Sequence, residues 1–135
     1  MDALAITLGH NSSAVLIRDG KIVGGYEEER FTRKKSDSSF PINAISELNW
    51  RFNVQPNVAL CVSHWFPDGE IKAETKYWRF GRMRELFPEC QVMSLQSSGF
   101  THHDAHARSA IVFAGDDFAP EYGIFVVDGF GTSAE

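Results

Sequence analysis

Asp19-Gly20 is the feature that most restricts what this chain can fold into, because it joins Ser13 to Arg18, a short apolar run, to a segment that resumes at Lys21. Both residues tolerate the positive φ that a two-residue type I′ turn demands, so an Asp-Gly pair flanked by extended runs is a strong hairpin signal. A further apolar run, Ala3 to Leu8, precedes the hairpin and closes at Gly9-His10-Asn11. Three strands, the third running from Lys21 to Phe31, therefore open the chain as an antiparallel meander. With 135 residues, 43% hydrophobic and 13% aromatic, the chain can bury one sizeable core but not two. The meander thus begins a single domain or part of one.

Helical spacing follows. Pro41 suits a first helical position, Ile42, Ile45, Leu48 and Phe52 recur with a helical period up to Asn53, and Pro56 ends the element. Val58 to Val62 is fully apolar, as in a buried parallel strand, and Val92 to Leu95 is a second, weaker run of that kind. Between them, residues 67–88 carry Tyr77, Trp78, Phe80, Met83, Leu86 and Phe87 at spacings compatible with a helix. His102 to Phe113 has helical spacing with small residues at Ala105, Ala107, Ser109 and Ala110, and Tyr122 to Val127 is an apolar strand running into Asp128. These elements imply an α/β fold with a mixed sheet. The order β-β-β-α-β-α-β is that of one ribonuclease H-like half of the actin and sugar-kinase superfamily.

Bulk properties narrow the function classes. A net charge of −5 leaves no basic stripe for a phosphate backbone, the local cluster Arg30, Arg33, Lys34 and Lys35 excepted, so no nucleic-acid partner is expected. Cys61 and Cys90 stand in no metal or redox spacing and are too few to staple a domain, which favours buried thiols in a reducing compartment. Asp2 stands where a signal peptide needs positive charge, and no run approaches a membrane span. A cytoplasmic location without a membrane partner is the expectation.

The most specific chemical signal is His102-His103-Asp104-Ala105-His106. Residues four apart on a helix share a face, so positions 102 and 106 suit one cation, and imidazole there suits zinc, iron or nickel. A carboxylate from another element usually completes such a site. Asp128 is the natural candidate, at the end of an apolar strand and followed by Gly129 and Gly131, which let a ligand approach the backbone. A lone histidine reads more simply as a satisfied surface or core residue. Three of five histidines within little more than one helical turn shift the balance to a metal.

Other motifs admit two readings each. Gly9-His10-Asn11-Ser12-Ser13 is either an ordinary turn whose polar side chains satisfy their own backbone or a loop offering a histidine and amide groups to a phosphate or acyl oxygen. The run from Glu27 to Lys35 is either a solvated charge string or a strand end whose basic half, with Arg30 and Arg33, receives an anionic group. On a strand, Glu27 and Glu29 share one face while Glu28 and Arg30 share the other. Asp128-Gly129-Phe130-Gly131-Thr132 is a tight turn or a glycine-rich phosphate loop, though neither a P-loop nor a dinucleotide fingerprint. His64 and Trp65 either pack or line a cleft.

In this order the motifs resemble the carbamoyltransferase family that includes the nodulation-factor and antibiotic-tailoring O-carbamoyltransferases. Leu4 to Ala14 is similar to that family's opening strand and Gly-His-Asp/Asn-Ala/Ser-Ser-Ala loop, and Glu27 to Lys35 with Phe40-Pro41 to its Glu-Glu-Glu-Arg-Phe-Thr-Arg segment and following Phe-Pro. His102 to Ala110 resembles its His-His-x-x-His-Ala-x-Ser-Ala helix, and Val126 to Gly131 its Val-Asp-Gly-x-Gly turn. Ala5 and Thr7 depart from the Gly and Asn often found there, which alters the loop floor and keeps the histidine.

The resemblance implies a two-part enzyme. A C-terminal domain makes carbamoyl-adenylate from carbamoyl phosphate and ATP, and the N-terminal metal domain passes the carbamoyl group to a small-molecule acceptor with a hydroxyl. The related metal domain of tRNA threonylcarbamoyladenosine synthesis uses the same helical histidine pair. Carried over, His102, His106 and Asp128 hold a divalent metal, iron or zinc, and His10 is the base for the acceptor hydroxyl. Asn11, Ser12, Arg30, Arg33, His103, Gly129 and Gly131 become substrate or nucleotide contacts. Residues 1–135 then correspond to the N-terminal portion of the metal-binding domain. The second half of the fold, a further carboxylate ligand and the activating domain come from a further segment or a partner chain. The rival reading is a non-catalytic metal- or nucleotide-binding module that needs a partner.

Overall fold

In the computed structural model, which describes residues 1–9, 11–63, 81–94 and 102–115, both residues of the Asp19-Gly20 turn lie at positive φ, 50° and 77°. Arg18 pairs with Lys21 across it, so two residues close the hairpin. β1 (Asp2–Leu8), β2 (Ser13–Arg18) and β3 (Lys21–Glu27) form the antiparallel meander, with Leu4 opposite Leu16 and Leu16 opposite Gly24. Strand alternation sets the core. Along β1 the buried positions are Asp2, Leu4, Ile6 and Leu8, and along β2 they are Ala14 and Leu16, all on one face of the sheet.

One boundary differs from the sequence expectation. The third strand stops at Glu27 instead of continuing to Phe31, and Glu29–Thr32 forms a one-turn helix, α1, closed by Arg33 at φ 60°. β2 begins at Ser13, whose partner is Glu27, so the chain beyond has no neighbouring strand to pair with. Its amides bond locally instead: Phe31 and Thr32 donate to the Glu28 carbonyl at 3.0 and 3.1 Å, and Arg33 donates to that of Glu29 at 2.9 Å. The strand-face assignment of Glu28, Glu29 and Arg30 therefore does not hold.

α2 (Ile42–Phe52) takes Pro41 as its N-cap and ends on Asn53 at φ 49°, a left-handed C-cap that Asn tolerates. Ala44, Ile45 and Leu48 are buried in one core cluster with Leu4, Leu16 and Ala59. The helix ends close to the sheet at Gly24, where a Cβ would lie 2.9 Å from Phe52 Cε2 and 3.4 Å from Leu48 Cδ2. Near that end, Arg18 grips Asp2 with two bonds of 2.7 Å and donates a third, at 3.1 Å, to the Phe52 carbonyl. This pairing fastens the end of α2 to β1 and β2.

β4 (Pro56–Ser63) lies parallel to β1, and β5 (Gln91–Ser94) parallel to β4, giving a five-stranded mixed sheet in the order β3-β2-β1-β4-β5. Residues 81–86, helical, bring the fully buried Met83 to the core. Cys61 and Cys90 are free, buried thiols, as expected.

The contacts divide the chain into two compact units, Met1–Leu95 and Gln96–Glu135. In the second, α3 (His102–Ala114) is the helix anticipated from the histidine and alanine spacing. The strand expected at residues 122–127 lies outside the described residues, and so does the part before Gly81 of the helix expected within 67–88, whose residues 81–86 are helical. Among the described residues no helix is long and apolar enough to cross a membrane.

Candidate functional site

Because β1, β4 and β5 run parallel, their carboxyl ends share one edge: Leu8 pairs with Ser63, and Cys61 with Ser94. Parallel strands of α/β sheets characteristically place ligands beyond this edge. Gly9, Asn11 and Ser12 follow β1 there, and His10 and His64-Trp65 neighbour these strands in the sequence.

The turn after β1 is tied down at Ser12, which is wholly buried. Its hydroxyl donates to the Gly9 carbonyl at 3.1 Å, its amide donates to the Asp37 carbonyl at 2.9 Å, and its carbonyl accepts from the Glu28 amide at 2.8 Å. Asn11 sits beside it at φ 60° and is exposed. Asn11 therefore faces solvent while the Ser12 hydroxyl is occupied within the turn.

The charged run is divided by α1. Glu28 is 1% exposed, and its carboxylate accepts from the Ala44 amide at 2.9 Å and from the Asn43 amide and side chain at 3.2 and 2.6 Å. Pro41, the N-cap of α2, makes no side-chain cap bond. Glu28 thus supplies from a neighbouring segment the acceptor and the negative charge that a helix N-terminus favours. Glu29 accepts from the Ser36 amide at 2.9 Å, which with nearby Lys35 holds its carboxyl below the usual range. Asp37 is buried and accepts from Thr32 Oγ1 at 2.6 Å and from Ser39 Oγ and N at 2.7 and 2.8 Å. Those donors, Thr32 foremost, hold its carboxyl down at about 2. Arg30 is exposed 3.4 Å from Glu27, and Arg33 is exposed at the end of α1.

None of the roles of Glu28 and Asp37 is visible in composition. A usable hint was Pro41 itself, since a helix that starts on proline without Ser, Thr, Asp or Asn at its cap leaves amides for an acid elsewhere to accept. Asp37-Ser38-Ser39 carried a second hint, as Asp commonly bonds its own backbone two residues on.

Positions 102 and 106 fall on one face of α3, four residues apart, with 103 displaced by about 100°. His106 is exposed, and Ser109 Oγ donates to its carbonyl at 2.8 Å. This helical spacing fits two imidazole donors to one cation. His10, His64, Trp65, Asp128, Gly129 and Gly131 lie outside the described residues, so of the expected ligand set the structure describes only the two helical positions. Among the described residues no group of three or more His, Cys, Asp or Glu side chains stands close enough to hold a metal ion.

No family model matches the chain. Over an alignment of 144 positions, covering 95% of this chain and 21% of its relative, it is 26% identical to the nodulation protein NolNO of Sinorhizobium fredii. Over 37 residues, 27% of this chain and 6% of the relative, it is 57% identical to an uncharacterized protein of Synechocystis sp.. The chain thus matches about a fifth or less of the length of either relative.

Proposed function

We propose that this chain is the N-terminal part of the metal-binding domain of an O-carbamoyltransferase, its sheet forming one ribonuclease H-like half. The observation that carries the reading is the run of four family-like motifs in order along a chain whose parallel strands β1, β4 and β5 end at a common edge. The strand order β3-β2-β1-β4-β5, a meander extended by parallel strands, supports the fold. Similarity to a nodulation protein along 95% of the chain supports the family.

In this reading His102 and His106 ligate a divalent metal together with Asp128, and His10 is the base. Held by these residues, a divalent ion such as iron or zinc would supply charge neutralisation for the phosphate. The chain's own residues do the rest. Neutral His10 takes the proton of the acceptor hydroxyl as that oxygen attacks the carbamoyl carbon of carbamoyl-adenylate, whose acyl–phosphate bond breaks to release AMP. Exposed Asn11, Arg30 and Arg33, with His103, Gly129 and Gly131, contact the substrate or nucleotide. ATP and carbamoyl phosphate are consumed by the activating domain, which the remainder of the enzyme contributes.

The test is a chimera in which residues 1–135 replace the matching segment of NolNO, assayed for transfer of labelled carbamoyl from carbamoyl phosphate and ATP to an acceptor hydroxyl. A transfer product that disappears in His10→Ala supports the reading. A folded chimera that binds metal but transfers nothing favours a non-catalytic module.

A further inference from the structure

We propose that Glu28 and Asp37 are positioning residues: by clamping Ser12 from both sides, they fix the conformation of the turn at Asn11 and Ser12. What the turn is for rests on the reading above; the clamp itself does not.

The need for a clamp follows from where the ladder ends. The last rung between β1 and β2 is Thr7 with Ser13, so Ser12 lies beyond sheet pairing although it is completely buried. A buried N–H and C=O without partners would each be costly. Both find partners outside the hairpin, the carbonyl of Asp37 at 2.9 Å and the amide of Glu28 at 2.8 Å. The left-handed φ of 60° at neighbouring Asn11 is a further cost that the surroundings must offset.

Each partner is itself immobilised by side-chain bonds. Glu28 is anchored by three donors at the start of α2, and Asp37 by Thr32 and Ser39. Thr32 Oγ1 also approaches the Glu28 carbonyl, at 3.4 Å, and joins the two halves. The turn at the carboxyl end of β1 is therefore held to α1, to the Ser36–Ser39 segment and to α2 together. A helix cap alone would need the Glu28 carboxylate but not this double grip on Ser12. Within the Glu27–Lys35 run it is Glu28 that belongs to this clasp, while Arg30, Arg33, Lys34 and Lys35 are exposed.

Amide hydrogen exchange on the full 135-residue chain tests this. Thr32 and Ser39 are exposed, so changing them leaves the core intact. Thr32→Val and Ser39→Ala, each removing a donor to Asp37, are expected to speed exchange at Ser12 by about tenfold while the amides of Leu4, Ile6 and Leu16 keep their protection. Thr32→Ser, which restores the hydroxyl, is expected to return Ser12 to the parent rate. If Ser12 exchange is unchanged in both loss variants, or rises only in step with the β1 and β2 amides, the clasp does not position the turn and the proposal falls. No part of this measurement involves carbamoyl transfer. An inactive chimera would therefore overturn the functional reading and leave the clasp standing.

Discussion

Phe52 occupies the space that a side chain at Gly24 would need: a Cβ there would stand 2.9 Å from Phe52 Cε2. Gly24 lies opposite Leu16 on the core face, so the missing side chain is what lets the last turn of α2 approach the sheet. Gly24→Val is expected to cost about 1–3 kcal/mol, the usual range for overpacking a filled core. Urea unfolding measures it. Pairing the change with Phe52→Leu should recover part of the loss, because residues in contact are coupled. Strict additivity of the two substitutions would mean that the ring is not the obstacle.

Much of this arrangement could be read from sequence, for identifiable reasons. Alternation in Leu4, Ile6 and Leu8 with a two-residue Asp-Gly turn leaves few options for β1 to β3, and Ile42, Ile45, Leu48 and Phe52 mark one face of α2. α1 was not legible, because four residues are too few to show a helical period. Nor was the difference among Glu27, Glu28 and Glu29. Which of the three turns inward depends on β2 beginning at Ser13, a long-range pairing fact that adjacent identical residues cannot encode. At the candidate site, the Gly9–Ser13 turn and the histidine helix were legible as local patterns. The clamp on Ser12 was not, since both partners are distant in sequence.

Acid should weaken the fold through two buried carboxylates. Arg18 beside Asp2 holds that carboxyl at about 2, and Thr32 and Ser39 do the same for Asp37. Both folded values lie below those of the unfolded chain, near 4, so the stabilisation is complete above pH 4 and is lost as pH falls towards 2. Thermal unfolding followed between pH 5 and pH 2 should show this loss. Asp2→Asn is expected to lower stability at neutral pH, where Arg18 loses its bidentate partner, and to flatten the decline in acid. An unchanged acid slope in Asp2→Asn would show that Asp2 is not one of the groups responsible.

Base should act through Cys61. Burial pushes its thiol up to about 12, so the native chain holds this proton where an unfolded cysteine has lost it. The resulting stabilisation is full below about pH 8.5 and disappears as pH rises towards 12. A thiol reagent at pH 8 should leave Cys61 unmodified in the native chain and react in denaturant, since the thiolate is the reactive form. Rapid native labelling of Cys61 would contradict its burial at 2% exposure.

The last prediction concerns the spacing on α3. Positions 102 and 106 lie on one helical face, whereas 103 is turned about 100° away, so the first two suit a common cation and the third does not. His102→Ala or His106→Ala is therefore expected to lower the affinity of the chain for iron(II) or zinc at least tenfold, and His103→Ala to leave most of it. The three variants should be titrated anaerobically at one fixed pH, because a protonated imidazole cannot ligate. Asp128→Asn should reduce affinity as well if that carboxylate belongs to the set, and leave it unchanged if it does not. Loss of binding in His103→Ala as complete as in His106→Ala would mean that the ligand pair is not the one four residues apart.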